Sequence, residues 1–288
     1  MIVFDKILEY CNYRKKLAGI VGFVPTMGYL HEGHASLVRA ARKQCDYVIV
    51  SIFVNPTQFG PNEDFSKYPR DFERDRKICE DNGADCIFYP KVDEMYSENA
   101  LTKVNVEKIT KGLCGTSRPT HFCGATTIVT KLFNIIQPDI AYFGQKDIQQ
   151  CVVIKKMVED LNIPVVIEIC PIVRESDGLA MSSRNIYLNE IERKIAPIIY
   201  ESLRLAESLF VKGRKDAEEI KQIVKKKLDE KITPEIGGID YIEIIDRNNL
   251  ESVAFAREND IIAVAVFIGK TRLIDNLFFS QNEVEPSI

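Results

Sequence analysis

Two of the three histidines in this 288-residue chain lie three positions apart, in a turn that precedes an amphipathic helix. The segment Pro25–His34 reads PTMGYLHEGH, with Gly28 early in the turn and His31 and His34 at its end. A helix start offers unpaired backbone N–H groups and a positive dipole end, and imidazoles add side-chain donors. We therefore predict that this turn binds a polyphosphate. The alternative is that both histidines only cap the helix.

The turn differs from the common phosphate and zinc motifs. It lacks the Gly-Lys-Ser/Thr of a Walker A loop and the third glycine of a dinucleotide-binding fingerprint. A His-Glu-x-x-His metalloprotease motif needs a histidine at its fifth position, which this segment does not have. The eight cysteines include no Cys-x-x-Cys pair, so we expect reduced, mostly structural thiols rather than a zinc site.

Other polar side chains stand where predicted strands end. Asn55 and Gln58 in NPTQFG suit hydroxyl and carboxylate recognition, although Asn-Pro also forms turns. Lys146 in FGQKDIQQ would be a point charge for phosphate or carboxylate. Asp177–Asn185, DGLAMSSRN, offers two hydroxyls and a guanidinium that suit closure over a triphosphate. His121 lies in a loop before a predicted helix, where a structural role and a ligand contact fit equally well.

The elements that would position these groups alternate between short apolar runs and amphipathic helical patterns, which is typical of βαβ units. The predicted strands are Gly19–Val24, Tyr47–Val54, Ala84–Tyr89, Ile140–Phe143 and Val165–Cys170. The predicted crossover helices are Ala35–Gln44, Phe72–Asp81, Thr126–Gln137 and Asp147–Leu161. Right-handed crossovers would give an α/β, Rossmann-like, doubly wound parallel sheet with ligands beyond the carboxyl ends of its strands.

After about Arg174 the pattern changes to two helices and three strand-like runs. The helices are predicted at Glu190–Val211 and Asp216–Asp229, and the strands at Tyr241–Ile245, Ile261–Ile268 and Thr271–Leu277. We therefore expect a Rossmann-like domain over residues 1–174 and a smaller α+β C-terminal domain over residues 175–288.

Composition restricts the class of protein. With 45% hydrophobic and 28% charged residues and a net charge of −4, the chain is expected to be globular. A pI near 5.6 and the lack of a long basic face argue against a nucleic-acid partner. Met1–Tyr10 carries acidic residues and no basic n-region, and no apolar stretch is long enough to cross a bilayer as a helix. We expect a cytoplasmic protein without a membrane partner.

The His-x-Gly-His turn and the Met-Ser-Ser-Arg loop together resemble the nucleotidyltransferase superfamily that includes class I aminoacyl-tRNA synthetases. A closer resemblance, to the pantoate–β-alanine ligase family, rests on blocks that occur in order along the chain. They are Pro25–His34, Phe53–Gly60, Tyr68–Arg70, Arg118–Gly124, Gly144–Gln150 and Asp177–Asn185. The segments Asp240–Asp246 and Gly269–Asn276 are similar to that family's second domain.

The resemblance implies condensation of pantoate with β-alanine to pantothenate, AMP and pyrophosphate, through a pantoyl-adenylate. It implies ATP as a substrate, Mg²⁺, a homodimer, ATP and pantoate binding by the first domain, and a C-terminal domain that forms a lid over the active site. The implied ATP-binding residues are Met27, Gly28, His31, His34, Gly144, Lys146, Asp147 (on the ribose), Met181, Ser182, Ser183 and Arg184. The implied pantoate-binding residues are Pro25, Met27, Asn55, Gln58 and Gln150. Catalytic roles fall on His31, His34, Lys146 and Arg184, and no direct protein ligand of a metal is implied.

Two positions depart from the family's usual pattern. Gln145 stands where glutamate is frequent, which would affect how Lys146 is oriented, and Cys123 and Ala125 flank Gly124. Neither change removes a proposed contact with a reacting group.

Rival functions remain open from the residues alone. A nucleotidyltransferase that moves AMP or CMP to a phosphorylated acceptor would leave a stable nucleotide-containing product, so free AMP would exclude it. A nucleotide sensor would bind ATP without turnover. An RNA-binding synthetase fragment fits least well, because the chain is acidic.

Overall fold

The computed structural model describes residues 1–61 and 63–281, which divide into two compact units. The first unit contains Met1–Gln145 and Val153–Val173, and the second contains Lys146–Val152 and the chain from Arg174 onward. The division predicted from the sequence, between residues 174 and 175, lies one residue from the boundary between Val173 and Arg174, but it left residues 146–152 in the first domain. The role of the C-terminal unit as a lid stays a prediction.

The first unit is built on a six-stranded parallel sheet. Its strands are β1 (Ile2–Phe4), β2 (Val21–Thr26), β3 (Tyr47–Ile52), β4 (Cys86–Phe88), β5 (Ile140–Gly144) and β6 (Val166–Cys170). They lie in the order β1-β4-β3-β2-β5-β6, and every neighbouring pair is parallel. The chain order reverses between β2 and β5, so a doubly wound sheet of this kind has its ligand crevice at the carboxyl ends of these strands. The predicted α/β class is confirmed.

Helices connect the parallel strands. They are α1 (Ile7–Arg14), α2 (Glu32–Gln44), α3 (Phe72–Asp81), α4 (Val92–Met95), α5 (Cys114–Ser117), α6 (His121–Ile136) and α7 (Ile148–Asp160). Helix α2 shows why the pattern folds this way, since Leu37, Val38 and Ala41 recur at helical spacing and are buried in the core with Val24 and Val50 of the sheet.

Helix α6 begins at His121, five residues before the predicted start at Thr126. Gly124, a poor helix former, made this segment look like a loop. His121 is therefore the first helical residue rather than a loop residue, and the prediction of a loop there is wrong.

No sequence pattern predicted β1 or α1. Strand β1 has only three residues at the edge of the sheet, and Ile2 and Val3 are exposed. In α1 only Tyr10 is buried, so no apolar stripe marks the helix. Tertiary contacts hold it instead, because the hydroxyl of Tyr10 donates to the carbonyl of Ile136 and Arg14 donates to the same carbonyl.

The second unit contains an antiparallel three-stranded sheet and helices that pack on it. The helices are α8 (Glu190–Ile195), α9 (Ile198–Val211) and α10 (Ala217–Asp229), and the strands are β7 (Gly237–Ile245), β8 (Ile261–Ile268) and β9 (Thr271–Phe278), in the order β7-β8-β9. The helix predicted over Glu190–Val211 is two helices, because Pro197, which has no N–H, stands at the start of α9. The predicted α+β character is confirmed.

Apolar side chains from both layers form the core of the second unit. Leu203 and Phe210 of α9 pack with Val224 of α10 and Val264 of β8. Across the described parts of both units, no helix combines the length and the apolar character that crossing a membrane requires.

Candidate active site

His31 and His34 form a reciprocal cap at the N-terminus of α2. The N–H of Gly33 donates to His31 Nδ1 at 3.1 Å, and the N–H of His31 donates to His34 Nδ1 at 3.3 Å. Because a backbone N–H can only donate, neither Nδ1 atom carries a proton, and a neutral imidazole then has its proton on Nε2. The ring centroids are 4.1 Å apart. The cap thus gives two adjacent Nε2–H donors, so capping and anion binding are compatible roles.

Side chains also satisfy the backbone N–H groups just before the histidines. The N–H of Gly28 donates to Thr26 Oγ1 at 3.2 Å. The N–H groups of Tyr29 and Leu30 donate to the two carboxylate oxygens of Asp75 at 2.7 and 2.6 Å. These residues precede the helix; at its start, the N–H of Gly33 is bonded to His31 Nδ1 and the N–H of His34 to the His31 carbonyl, so these two helix-start N–H groups are not unpaired as expected.

Asn55 and Gln58 are buried together beyond the carboxyl end of β3. Asn55 Nδ2 donates to Gln58 Oε1 at 2.9 Å and to the carbonyl of Gly124 at 3.1 Å. Asn55 Oδ1 accepts from the hydroxyls of Tyr96 at 2.8 Å and Thr57 at 3.0 Å. The Asn55 amide is thus fully used inside the protein. Gln58 Nε2 donates to no group within residues 1–61 and 63–281, and this amide is oriented as a donor.

The start of α6 supports the backbone of Gln58. His121 Nδ1 lies 3.0 Å from the Gln58 carbonyl oxygen, and Arg118 Nη2 donates to the same oxygen at 3.2 Å. Arg118 also forms a two-bond ion pair with Glu63, at 2.8 and 2.6 Å. Burial raises the pKa of Glu63, but the bonds and charge of Arg118 hold it below its ordinary value. These contacts favour a structural role for His121.

Gly124 lets α6 approach this turn closely. A Cβ atom there would lie 2.2 Å from the carbonyl oxygen of Thr57, which no side chain tolerates. The flanking residues Cys123 and Ala125, where the chain departs from the family's usual pattern, leave this approach intact.

The predicted lysine belongs to the second unit. Lys146 lies in a 3₁₀ turn, Gln145–Asp147, that follows β5. Its Nζ is 3.6 Å from Asp147 Oδ2, and its backbone carbonyl accepts from Asn276 Nδ2 at 3.0 Å. Because Asn276 is buried in β9, that strand fixes the backbone at Lys146. Gln150 lies half-buried in the first turn of α7.

The segment from Arg174 to Asn185 is tied to its surroundings by ion pairs. Arg174 binds Asp275 of β9 through two bonds of 2.6 and 3.0 Å, and its guanidinium stacks on Tyr200 at 3.7 Å. Arg193 of α8 binds Glu175 at 2.6 Å and Asp177 at 2.5 Å. These ion pairs hold the residues that precede the Met-Ser-Ser-Arg sequence in place.

Met181, Ser182 and Arg184 are half-buried, and Ser183 is buried. Ser182 Oγ accepts from the N–H of Arg184 at 3.2 Å and so caps the 3₁₀ helix Ser183–Tyr187. A hydroxyl that accepts this bond keeps its own proton for another partner. The second unit thus brings hydroxyl and guanidinium donors together in one short segment.

A cavity of about 400 Å³ opens beside the histidine-bearing turn in the first unit. Met27 and Gly28 line it, together with the side chains of Phe53, Arg70 and Phe72. Its volume is suited to a small organic molecule. Pro25 is the fifth residue of β2, directly before Thr26. Gly144 is the last residue of β5, and a Cβ atom on it would have no described residue within 4 Å apart from its two chain neighbours. In the described part of the chain, no three His, Cys, Asp or Glu side chains cluster as a metal site.

Sequence reasoning missed two supporting residues, Asp75 and Asn276. A signal for Asp75 existed, since it occupies a position on the stripe formed by Phe72, Ile78 and Cys79 of α3, where an apolar residue is expected. No local pattern distinguishes Asn276, because its partner is 130 positions away in the chain.

The chain is similar to known proteins over nearly its whole length. A model of the family described as pantoate-beta-alanine ligase matches residues 3–278. A pantothenate synthetase of Caldicellulosiruptor bescii is 56% identical over 281 residues, which cover 96% of this chain and 98% of that protein. One of Thermoanaerobacter sp. is 57% identical over 286 residues, covering 98% and 100%.

Solved structures agree with these relatives. A pantothenate synthetase from Thermus thermophilus superposes with a TM-score of 0.92 and 43% identity, over 97% of this chain and 99% of that one. A pantoate-beta-alanine ligase from Francisella tularensis, complexed with beta-gamma ATP and beta-alanine, has a TM-score of 0.81 and 37% identity over all of both chains. The resemblance inferred from the ordered sequence blocks is confirmed. The chain belongs to the pantoate–β-alanine ligase family and catalyses that family's reaction.

Proposed function

We propose that this chain condenses pantoate with β-alanine in two steps, with ATP as the activating substrate and pantoyl-adenylate as the intermediate. The observation that carries the proposal is the pair of imidazoles locked by the α2 cap with their Nε2–H donors side by side. Such donors suit a polyphosphate. The complex of the Francisella tularensis relative with beta-gamma ATP and beta-alanine supports the proposal of ATP and β-alanine as ligands here.

In the first step a carboxylate oxygen of pantoate attacks the α-phosphorus of ATP, the new P–O bond forms, and pyrophosphate leaves. Negative charge grows on the phosphate oxygens, so catalysis consists of positioning and electrostatic stabilisation. His31, His34, Lys146 and Arg184 supply the donors and cations for these oxygens. No protein nucleophile takes part.

The remaining nucleotide contacts are assigned from the resemblance to the family. We assign the hydroxyls of Ser182 and Ser183 to phosphate oxygens and the carboxylate of Asp147 to the ribose. Gly28, Gly144 and Met181 complete the set. Met27 serves both ligands, which agrees with its place in the wall of the cavity.

Pantoate recognition is assigned to Gln58 through its Nε2 donor. Asn55 was expected to touch pantoate directly, but its amide already makes five hydrogen bonds inside the protein. We therefore assign Asn55 the task of holding the Gln58 amide in its donor orientation. Pro25 and Gln150 remain proposed contacts of pantoate.

In the second step the amine of β-alanine attacks the acyl carbon of the adenylate. The C–N bond forms, the bond from this carbon to the phosphate oxygen breaks, AMP leaves with the electron pair, and the amine releases a proton. Mg²⁺ is proposed to enter with the phosphates of ATP, since this ion is usually held by substrate phosphates and few protein ligands. It would neutralise charge on the phosphate oxygens. We also propose that the chain forms a homodimer and acts in the cytoplasm.

Product analysis tests the overall reaction. Incubation with ATP, Mg²⁺, pantoate and β-alanine should yield pantothenate, AMP and pyrophosphate in equal amounts. A product that retains the nucleotide would instead indicate a nucleotidyltransferase, and binding of ATP without any product would indicate a sensor.

Gln58 is expected to determine specificity for the hydroxyls of pantoate. A site that hydrogen-bonds a substrate hydroxyl strongly rejects an analogue without it, because a buried polar group is left unpaired. With the wild-type protein, pantoate-dependent exchange of pyrophosphate into ATP should be much faster than exchange with a deoxy analogue. Gln58→Ala should narrow this ratio by about tenfold or more.

The exposed Gln222 of α10 provides the matched control, and Gln222→Ala should leave the ratio unchanged. A Gln58→Ala protein that folds and still rejects the deoxy analogue as the wild type does would refute this role for Gln58.

A further inference from the structure

The turn between β2 and α2 adopts a backbone conformation that L-residues disfavour. Gly28 has φ +83° and Tyr29 has φ +49°, both in the left-handed region. Glycine accepts this geometry readily, but a tyrosine does so at a cost in free energy. Such a turn persists only where surrounding groups hold it.

Asp75 of α3 is the group that holds this turn from outside. Its side chain is almost completely buried, and each carboxylate oxygen accepts one N–H, from Tyr29 at 2.7 Å and from Leu30 at 2.6 Å. Bonds to an ionised carboxylate are about twice as strong as neutral ones. The fit is close, since a Cβ atom on Gly28 would lie 3.1 Å from Asp75 Oδ2.

Asp75 also lines the cavity beside the turn, but each of its carboxylate oxygens already accepts a backbone N–H. Burial raises its pKa, while the bonds from Leu30 and Tyr29 act in the opposite direction. Its nearest cation is Arg74, whose Nη1 is 3.9 Å away, beyond hydrogen-bond distance, and whose guanidinium lies over the ring of Tyr29. Burying a carboxylate costs free energy unless the group is hydrogen-bonded. The two N–H groups that Asp75 binds explain why a carboxylate is buried on this face of α3.

Leu30 is directly followed by His31, so the Asp75 bonds and the histidine cap act on consecutive residues. Movement of the Leu30 backbone would displace the N–H of His31 and with it the bond that fixes the His34 ring. The orientation of both imidazoles therefore depends on the contacts that α3 makes with the turn.

We infer that Asp75 is a positioning residue for the ligase reaction: it holds the turn so that the Nε2–H donors of His31 and His34 point at the phosphates. This inference rests on the proposed function, in which the two imidazoles bind the phosphates of ATP. Asp75 itself touches no substrate in this scheme.

The test uses Asp75→Asn, which keeps the side-chain volume but turns one acceptor oxygen into an N–H donor that faces a backbone N–H. Two quantities are measured on the full chain: pantoate-dependent pyrophosphate exchange, and the imidazole ¹⁵N NMR signals. The chain has three histidines, so each signal can be assigned, and His121 serves as an internal reference. Asp81→Asn is the matched control, because Asp81 is an exposed aspartate at the last position of the same helix, α3, and does not line the cavity.

We expect Asp75→Asn to shift the ¹⁵N signals of His31 and His34 while those of His121 stay in place. Exchange should fall about 10- to 100-fold, the scale of a small misplacement of reacting groups. Asp81→Asn should change neither quantity. If Asp75→Asn does not fold, Asp75→Ser, which keeps one acceptor oxygen, is measured in the same way.

Unchanged His31 and His34 signals in either folded variant would overturn the inference, whatever the exchange rate. The proposed function fails separately, if the wild-type protein shows no pantoate-dependent exchange. The NMR comparison still decides the role of Asp75 in that case.

Discussion

Lys146→Met is expected to slow adenylation of pantoate by about 10³-fold, the lower end of the range for a cation that stabilises a phosphoryl transition state. The ammonium is expected to neutralise phosphate oxygens as their charge grows, which no neutral donor does as strongly. Methionine keeps the length and packing of the aliphatic stem. The rate of pyrophosphate exchange at saturating ATP and pantoate measures the effect.

Stability should hardly change in this variant. The only ion pair of Lys146 among the described residues is the 3.6 Å contact with Asp147, whose side chain is half exposed, and such pairs contribute little to folding. Lys155→Met, at an exposed position of α7, is the control and should behave like the wild type. A large fall in melting temperature together with intact catalysis would contradict the catalytic role of Lys146.

His34→Ala is expected to lower turnover about 10²- to 10³-fold, the scale for losing one preorganised donor to a developing anion. The structure adds that this change also removes half of the α2 cap, because His34 Nδ1 accepts the N–H of His31. The free energy of unfolding should therefore fall by about 1 kcal/mol. Steady-state kinetics and thermal unfolding measure the two effects separately.

His34→Gln separates capping from catalysis. A glutamine three positions after the N-cap residue can accept the N-cap N–H, so this variant should recover most of the lost stability. It lacks the imidazole donor, so turnover should stay low. If His34→Gln restored turnover along with stability, His34 would be a capping residue only.

The fold was predictable because apolar patterns repeat strongly in the parallel sheet. Strand β3 reads YVIVSI and is buried along nearly its whole length, which is why a continuous apolar run marked it. The elements that the sequence did not show are those held by distant partners. Helix α1 is one, since the bonds of Tyr10 and Arg14 to the end of α6 span more than a hundred positions.

Candidate site residues were predictable where chemistry and local spacing coincide, as for His31 and His34. What those residues do to each other was not predictable. The Nδ1 atoms of His31 and His34 both accept backbone N–H groups, and this arrangement depends on the backbone angles of the turn. The hydrogen bonds of the Asn55 amide depend on Tyr96 and Gly124, which lie far along the chain. Supporting residues such as Asp75 and Asn276 act through backbone groups of the other residues, so no motif contains them.

Exchange of labelled pyrophosphate into ATP is the measurement that tests the adenylate route most directly. The account predicts exchange that requires pantoate and Mg²⁺ and proceeds with β-alanine omitted, because adenylation is a separate, reversible first step. A concerted three-substrate ligase would show no exchange without β-alanine, and a nucleotide sensor would show none with any acid. Absence of exchange with pantoate, in a preparation that forms pantothenate when β-alanine is added, would contradict the pantoyl-adenylate intermediate.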